Sequence, residues 1–108
     1  GWDPTAVYYQ GLIGTDDWAV ELTGVELDDF CRLLAQLVET MRHIQAELMD
    51  EEAIACEVES EYLWLEAEGY PDAYSIRFIL HGDRRVEGQW SSDAVPGLIQ
   101  AAQNLKVF

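Results

Sequence analysis

One segment constrains this chain more than any other: Thr23-Gly24-Val25-Glu26, followed by Leu27, Phe30, Cys31, Leu34, Leu37, Val38, Met41, Ile44 and Leu48. A threonine followed three residues later by glutamate can exchange two hydrogen bonds across a helix start. Leu22 and Leu27 flank that cap at the spacing of a hydrophobic staple. The apolar residues then recur every three or four positions, with Glu, Arg and Gln opposite. That pattern predicts an amphipathic helix over 24–50, about 40 Å long at 1.5 Å per residue. In a chain of 108 residues so long a helix needs a layer to lie on, and the remaining sequence must supply it.

It supplies strands. Val7–Ile13 is aromatic and β-branched, Trp18, Val20 and Leu22 alternate with polar or small residues, and Gly14-Thr15-Asp16-Asp17 lies between, so a hairpin precedes the helix. After it, Ile54, Cys56 and Val58 alternate with Ala55, Glu57 and Glu59. The phase then slips, because Leu63, Leu65 and Ala67 occupy the other parity. A bulge or sharp bend near Ser60–Tyr62 reconciles the halves, as would a strand covered on both faces further along. Gly69-Tyr70-Pro71-Asp72 and His81-Gly82-Asp83 are turns. Tyr74, Ile76, Phe78 and Leu80 share an inward parity that Val86, Gly88 and Trp90 continue. Ser91-Ser92-Asp93 can cap a shorter last helix, with Pro96 in its first turn. The order reads ββα-βββ-α: a single α+β domain over 1–108, an antiparallel sheet carrying one long and one shorter helix.

Charge limits what such a domain can bind. Twenty-one acidic residues face six basic ones, a net charge of -15, in a chain that is 49% apolar and therefore globular. Broad electrostatic grip on phosphate is excluded, and nucleic acid is disfavoured. No run approaches the roughly 20 apolar residues of a membrane helix. The chain opens Gly1-Trp2-Asp3-Pro4, with no initiator methionine and without the basic and apolar regions of a signal peptide, which predicts an excised chain of cytoplasmic origin. Cys31 and Cys56 lie inside apolar patterns and read as reduced thiols.

The acids are concentrated. Between His43 and Ile76 stand ten carboxylates and no lysine or arginine. Glu57, Glu59 and Glu61 share a parity and are expected on one strand face, a candidate partner surface. The same belt could hold a divalent cation, but Asp50-Glu51-Glu52 lacks the glycine turn of a calcium loop, and a solvated face that blocks edge-to-edge pairing is the favoured reading. Glu39, His43 and Glu47 stand four residues apart on the helix, and without a second histidine cluster they read as surface. The serines lack a nucleophile-elbow context and the cysteines look inert, so no catalytic, metal or cofactor residue is assigned. Arg77, Arg84 and Arg85 form the one basic cluster, a candidate anion or ligand patch. Arg77 and Arg85 are expected to face away from the core and to pair with the belt rather than with a ligand.

Asp16-Asp17-Trp18-Ala19-Val20-Glu21-Leu22-Thr23, Asp29-Phe30-Cys31-Arg32-Leu33-Leu34, Leu48-Met49-Asp50-Glu51-Glu52-Ala53 and Arg84-Arg85-Val86-Glu87-Gly88-Gln89-Trp90 together resemble the cyanobacterial family known as domain of unknown function 1818. That resemblance implies a photosynthetic-microbe protein and a fold similar to the Whirly single-stranded-DNA-binding transcriptional regulators. It transfers no functional residue, and the Whirly lysine-rich motif has no counterpart here.

Three functions follow, in order of preference. The first is a non-enzymatic interaction module whose acidic face meets a basic protein, or which self-associates. The second is single-strand binding through Arg77, Arg84 and Arg85. The third is a metal-dependent or small-molecule activity at the belt.

Overall fold

The computed structural model describes residues 11–15, 18–47, 52–82 and 86–105. Strands β1 (Gly11–Gly14) and β2 (Ala19–Leu22) pair as an antiparallel hairpin, while residues 7–10 of the expected first strand and 16–17 of its turn lie outside the described residues. Helix α1 (Gly24–Glu47) follows at once. Its start is the capping box: the Thr23 backbone N–H donates to the Glu26 carboxylate at 2.9 Å, and the Glu26 N–H donates to the Thr23 hydroxyl at 3.1 Å. Leu22 is fully buried and Leu27 is partly buried against the same core. The proposed last residues of the helix, 48–50, lie outside the described residues.

Four strands follow, one more than the periodicity suggested: β3 (Ile54–Glu59), β4 (Leu63–Tyr70), β5 (Ala73–Leu80) and β6 (Glu87–Trp90), in the order β3-β4-β5-β6, all antiparallel. The break at Ser60–Tyr62 is therefore a reversal of the chain, not a bulge within one strand. The phase slip has a geometric cause. Directly paired residues of antiparallel strands share a face, and here Val58 pairs with Leu65 and Cys56 with Ala67. Positions 58 and 65 differ in parity, so the inward set must switch from even to odd across the turn. The second half of the segment needs no double-sided burial.

Helix α2 (Val95–Leu105) closes the chain. At its start the Ser91 carbonyl accepts the N–H groups of Ala94 at 2.9 Å and Val95 at 3.2 Å, which places Ser91-Ser92-Asp93 at the head of the helix. Pro96 sits in the first turn, where its missing N–H costs nothing.

Both helices cover one face of the larger sheet, α1 on β3 and β4, and α2 against α1 and β5. Leu63, Leu65, Ala67, Ile76, Phe78 and Leu80 meet Phe30, Leu33, Leu34, Leu37 and Met41 there, all buried. Trp18, Phe30, Phe78 and Trp90 form an aromatic knot at one end, with Trp18 and Trp90 at 5.0 Å between centroids and 61° between planes. The knot is tied to the small hairpin by the Trp90 indole N–H, which donates to the Gly14 carbonyl at 3.1 Å. Cys31 is buried, Cys56 is half-buried, and neither forms a disulfide.

Candidate functional site: the outer face of the four-stranded sheet

The helices leave the opposite sheet face open, and strand register decides what stands on it. One row across the sheet is Glu57, Glu66, Arg77 and Gln89; the next is Glu59, Trp64, Ile79 and Glu87. A third pairs Ala55, Glu68 and Ser75. Five carboxylates thus surround one guanidinium.

That guanidinium is engaged. Arg77 Nη2 lies 3.6 Å from Glu66 Oε1, and its Cζ sits 5.1 Å from the Trp64 ring centroid. An arginine held between a carboxylate and an indole face is positioned by both, although about half of the Arg77 side chain remains exposed. Glu57, directly opposite Glu66, receives only a neutral donor, the Trp64 indole N–H at 3.2 Å. At the end of the sheet, Glu59 Oε2 meets His81 Nε2 at 2.9 Å. Among the described residues no cation pairs with Glu57, Glu68 or Glu87.

Of the residues singled out in the sequence, Glu57 and Glu59 stand exposed on the outward parity of β3. Glu61 does not share that strand face. It is exposed in the β3–β4 turn, because the chain reverses before it, and its charge is the main cause holding the neighbouring Tyr62 hydroxyl above its usual pKa. Arg77 faces outward from β5 as its parity required, while Arg84 and Arg85 lie outside the described residues. Glu39 is bonded to His43 at 3.2 Å and to Arg42 at 3.4 Å, along an exposed helix surface. Glu66 and Glu68 are members of the acidic belt and His81 is expected as turn surface, but the sequence reading assigns none of them to this face and does not single out Trp64 at all. The β3–β4 and β4–β5 pairings bring them together; the parity switch at Ser60–Tyr62 is the signal in the sequence, but it fits a bend as well as a reversal.

Two other features bear on chemistry. An apolar cleft of about 370 Å³ lies between the small hairpin and the two helices, lined by Leu27, Phe30, Cys31, Trp90 and Leu98. Tyr74 is half-buried on the helix side, and burial raises its hydroxyl pKa against the opposing pull of Arg42. Among the described residues there is no buried polar or charged side chain, no grouping of three or more His, Cys, Asp or Glu poised to hold a metal ion, and no helix long and apolar enough to cross a membrane.

The family model described as Domain of unknown function (DUF1818) matches residues 1–105. Among solved structures, the chain is similar to a protein with unknown function, described as from the DUF155 family, from Prochlorococcus sp. NATL2A. The TM-score is 0.86 at 22% identity, covering 96% of this chain and 88% of that one. A likeness at that identity establishes the shared α+β fold. The Whirly likeness gains no support from these matches. No curated protein matches the chain.

Proposed function

Because this chain belongs to the family described as Domain of unknown function (DUF1818), a membership that carries no reaction with it, we propose a function from the chain's own geometry: a non-enzymatic interaction module that receives a basic protein partner. The observation that supports this reading is the register that sets Glu57 directly against Glu66 while the one described guanidinium on the face is engaged by Glu66 and Trp64. Like charges directly opposite on neighbouring strands repel. A lysine or arginine arriving from outside relieves that repulsion, so the free energy of the face falls when a cation docks. Such complementarity raises association rates and rejects polyanions. It also disfavours self-association through this face, which would set carboxylate on carboxylate. A cytoplasmic place and a cyanobacterial source complete the reading.

Fluorescence anisotropy tests it with two labelled probes at low salt: a lysine-rich peptide and a single-stranded oligothymidine. The peptide is expected to bind, to weaken steadily with added salt, and to lose affinity when Glu57, Glu59 and Glu68 are changed to Gln. Tight binding of the oligonucleotide with none of the peptide would overturn the reading in favour of the arginine cluster.

A further inference from the structure

The outer edge of β3 decides how a basic partner docks. The Ser60 N–H donates to the Leu63 carbonyl at 2.8 Å, so Ser60 and Leu63 form a hydrogen-bonded pair closing the β3–β4 hairpin. In an antiparallel ladder such pairs alternate with pairs whose backbone groups point away from each other. Counting back along the register, Val58, Cys56 and Ile54 bond to β4, while Glu59, Glu57 and Ala55 turn their N–H and C=O groups away from it. β3 is the terminal strand of its sheet, and among the described residues nothing bonds to that edge.

The opposite edge is treated differently. There the Gln89 carbonyl of β6 accepts the Trp18 indole N–H at 3.3 Å, and the Trp18 ring lies against Gly88. One edge thus carries a tryptophan, and among the described residues nothing bonds to the other along the six residues of β3.

We propose that β3 is the receiving edge for strand addition by an extended peptide in which basic and apolar residues alternate. The inference rests on the basic-partner reading above and specifies its geometry. Three backbone donors and three acceptors spaced over about 14 Å can pair with an added antiparallel strand. On the outer face, peptide side chains opposite Glu57 and Glu59 meet carboxylates and are selected as lysine or arginine. On the inner face, the neighbours are Cys56 and Val58, half-buried against α1, and small or β-branched residues fit them. The same glutamates exclude a second copy of β3, since an antiparallel copy centred on Glu57 would place Glu57 against Glu57.

The test is anisotropy on the intact chain with labelled peptides of about nine residues, long enough to span an edge strand. The first alternates lysine with valine or threonine; the second has the same composition with its lysines in one block. Two further versions of the alternating peptide carry N-methyl groups on every lysine or on every intervening residue. In antiparallel addition the lysines opposite Glu57 and Glu59 exchange backbone bonds with them, so lysine N-methylation is expected to weaken binding at least about tenfold, while methylation of the intervening residues leaves it near its original value. The alternating peptide should also exceed the blocked one by about tenfold, the equivalent of one net hydrogen bond or more. Equal binding of all four peptides overturns strand addition and leaves the acidic-face reading standing. Failure of every peptide to bind overturns both. Charge reversal at Glu57→Lys, checked for a retained fold by circular dichroism and a cooperative melt, should abolish binding of the alternating peptide, and retained affinity would count against the proposal.

Discussion

Ser60, in the β3–β4 turn, faces Asp29 on α1, and the interaction of its side chain with that carboxylate is the largest cause holding the Asp29 pKa below its ordinary value. The Ser60 oxygen accepts the N–H groups of Tyr62 at 3.1 Å and Leu63 at 3.4 Å, so its hydroxyl hydrogen is not committed to the turn. Partial burial pushes the other way, and Arg32, 3.1 Å from Asp29, adds to the lowering.

A carboxylate whose folded pKa lies below its unfolded value contributes stability that is present above the unfolded pKa. That stability is lost as pH falls through the folded one. Ser60→Ala is therefore expected to cost about 1 kcal/mol at neutral pH, the net value of one hydrogen bond. Urea melts at pH 7 and near pH 3 should show the variant's deficit shrinking in acid. A deficit that stays constant would mean that Ser60 acts through its own turn and not through Asp29.

At the start of α1, Thr23→Ala removes the hydroxyl acceptor at the Glu26 N–H while the Glu26 carboxylate keeps its bond to the Thr23 N–H. The expected loss is about 1 kcal/mol, and Thr23→Ser should restore most of it. Chemical denaturation checks both variants. A serine variant as weak as alanine would point to packing of the threonine methyl group instead.

Gly88 is where the small hairpin meets the sheet. A Cβ placed there would come within 2.5 Å of the Trp18 ring and 2.6 Å of the Phe78 ring, both belonging to the aromatic knot. Neither ring is the loose end of a flexible side chain, so Gly88→Ala should cost about 1–3 kcal/mol. Near-ultraviolet circular dichroism should change with it as Trp18 is displaced. An alanine variant with unaltered melting and dichroism would show that Trp18 can yield freely.

These sites differ in how far they could be read from the chain alone. The capping box is local: two residues three apart carry all of its chemistry, so its placement follows from the sequence directly. The inward stripe of α1 and the burial of Phe78 and Trp90 follow from periodicity, which survives any arrangement of neighbours. The acidic face does not. Glu57 and Glu66 become neighbours only once β3 and β4 are paired, and that pairing hinges on whether residues 60–62 bend or reverse. A parity switch is compatible with both outcomes. The hydrogen-bond pair Ser60–Leu63, which no pattern of side chains encodes, resolves it. The His81–Glu59 contact is hidden for the same reason, because it depends on where β5 ends relative to β3.

The repulsion across that pairing is measurable. Glu57→Gln keeps an oxygen to accept the Trp64 indole N–H while removing a charge facing Glu66. Stability should rise by about 0.2–1 kcal/mol in dilute buffer. The gain should fade with salt, because both groups are near solvent and the screening length is about 3 Å at 1 M salt. A variant that is less stable at every ionic strength would show that the negative charge at Glu57 strengthens its indole bond by more than it repels Glu66.

Arg77 balances that same row, and its two partners can be separated by substitution. Lysine at 77 keeps a cation for Glu66 but loses the planar group that stacks on Trp64; alanine loses both. The Glu66 side chain is largely shielded, while Arg77 is about half exposed, so the ion pair alone contributes within the range of surface pairs, about 0.2–1 kcal/mol. The stacking contributes a further 0.5–1 kcal/mol or so. Arg77→Lys should then fall between the parent and Arg77→Ala in urea melts. Arg77→Ala should destabilise further by leaving Glu66 opposite Glu57 with no cation on its other side. Pairing Arg77→Ala with Glu66→Gln isolates the coupling: once Glu66 is neutral, the penalty for losing Arg77 should drop to the stacking contribution alone. If the double variant instead shows purely additive losses, the 3.6 Å contact is geometric only, and the cation on this face is held by Trp64.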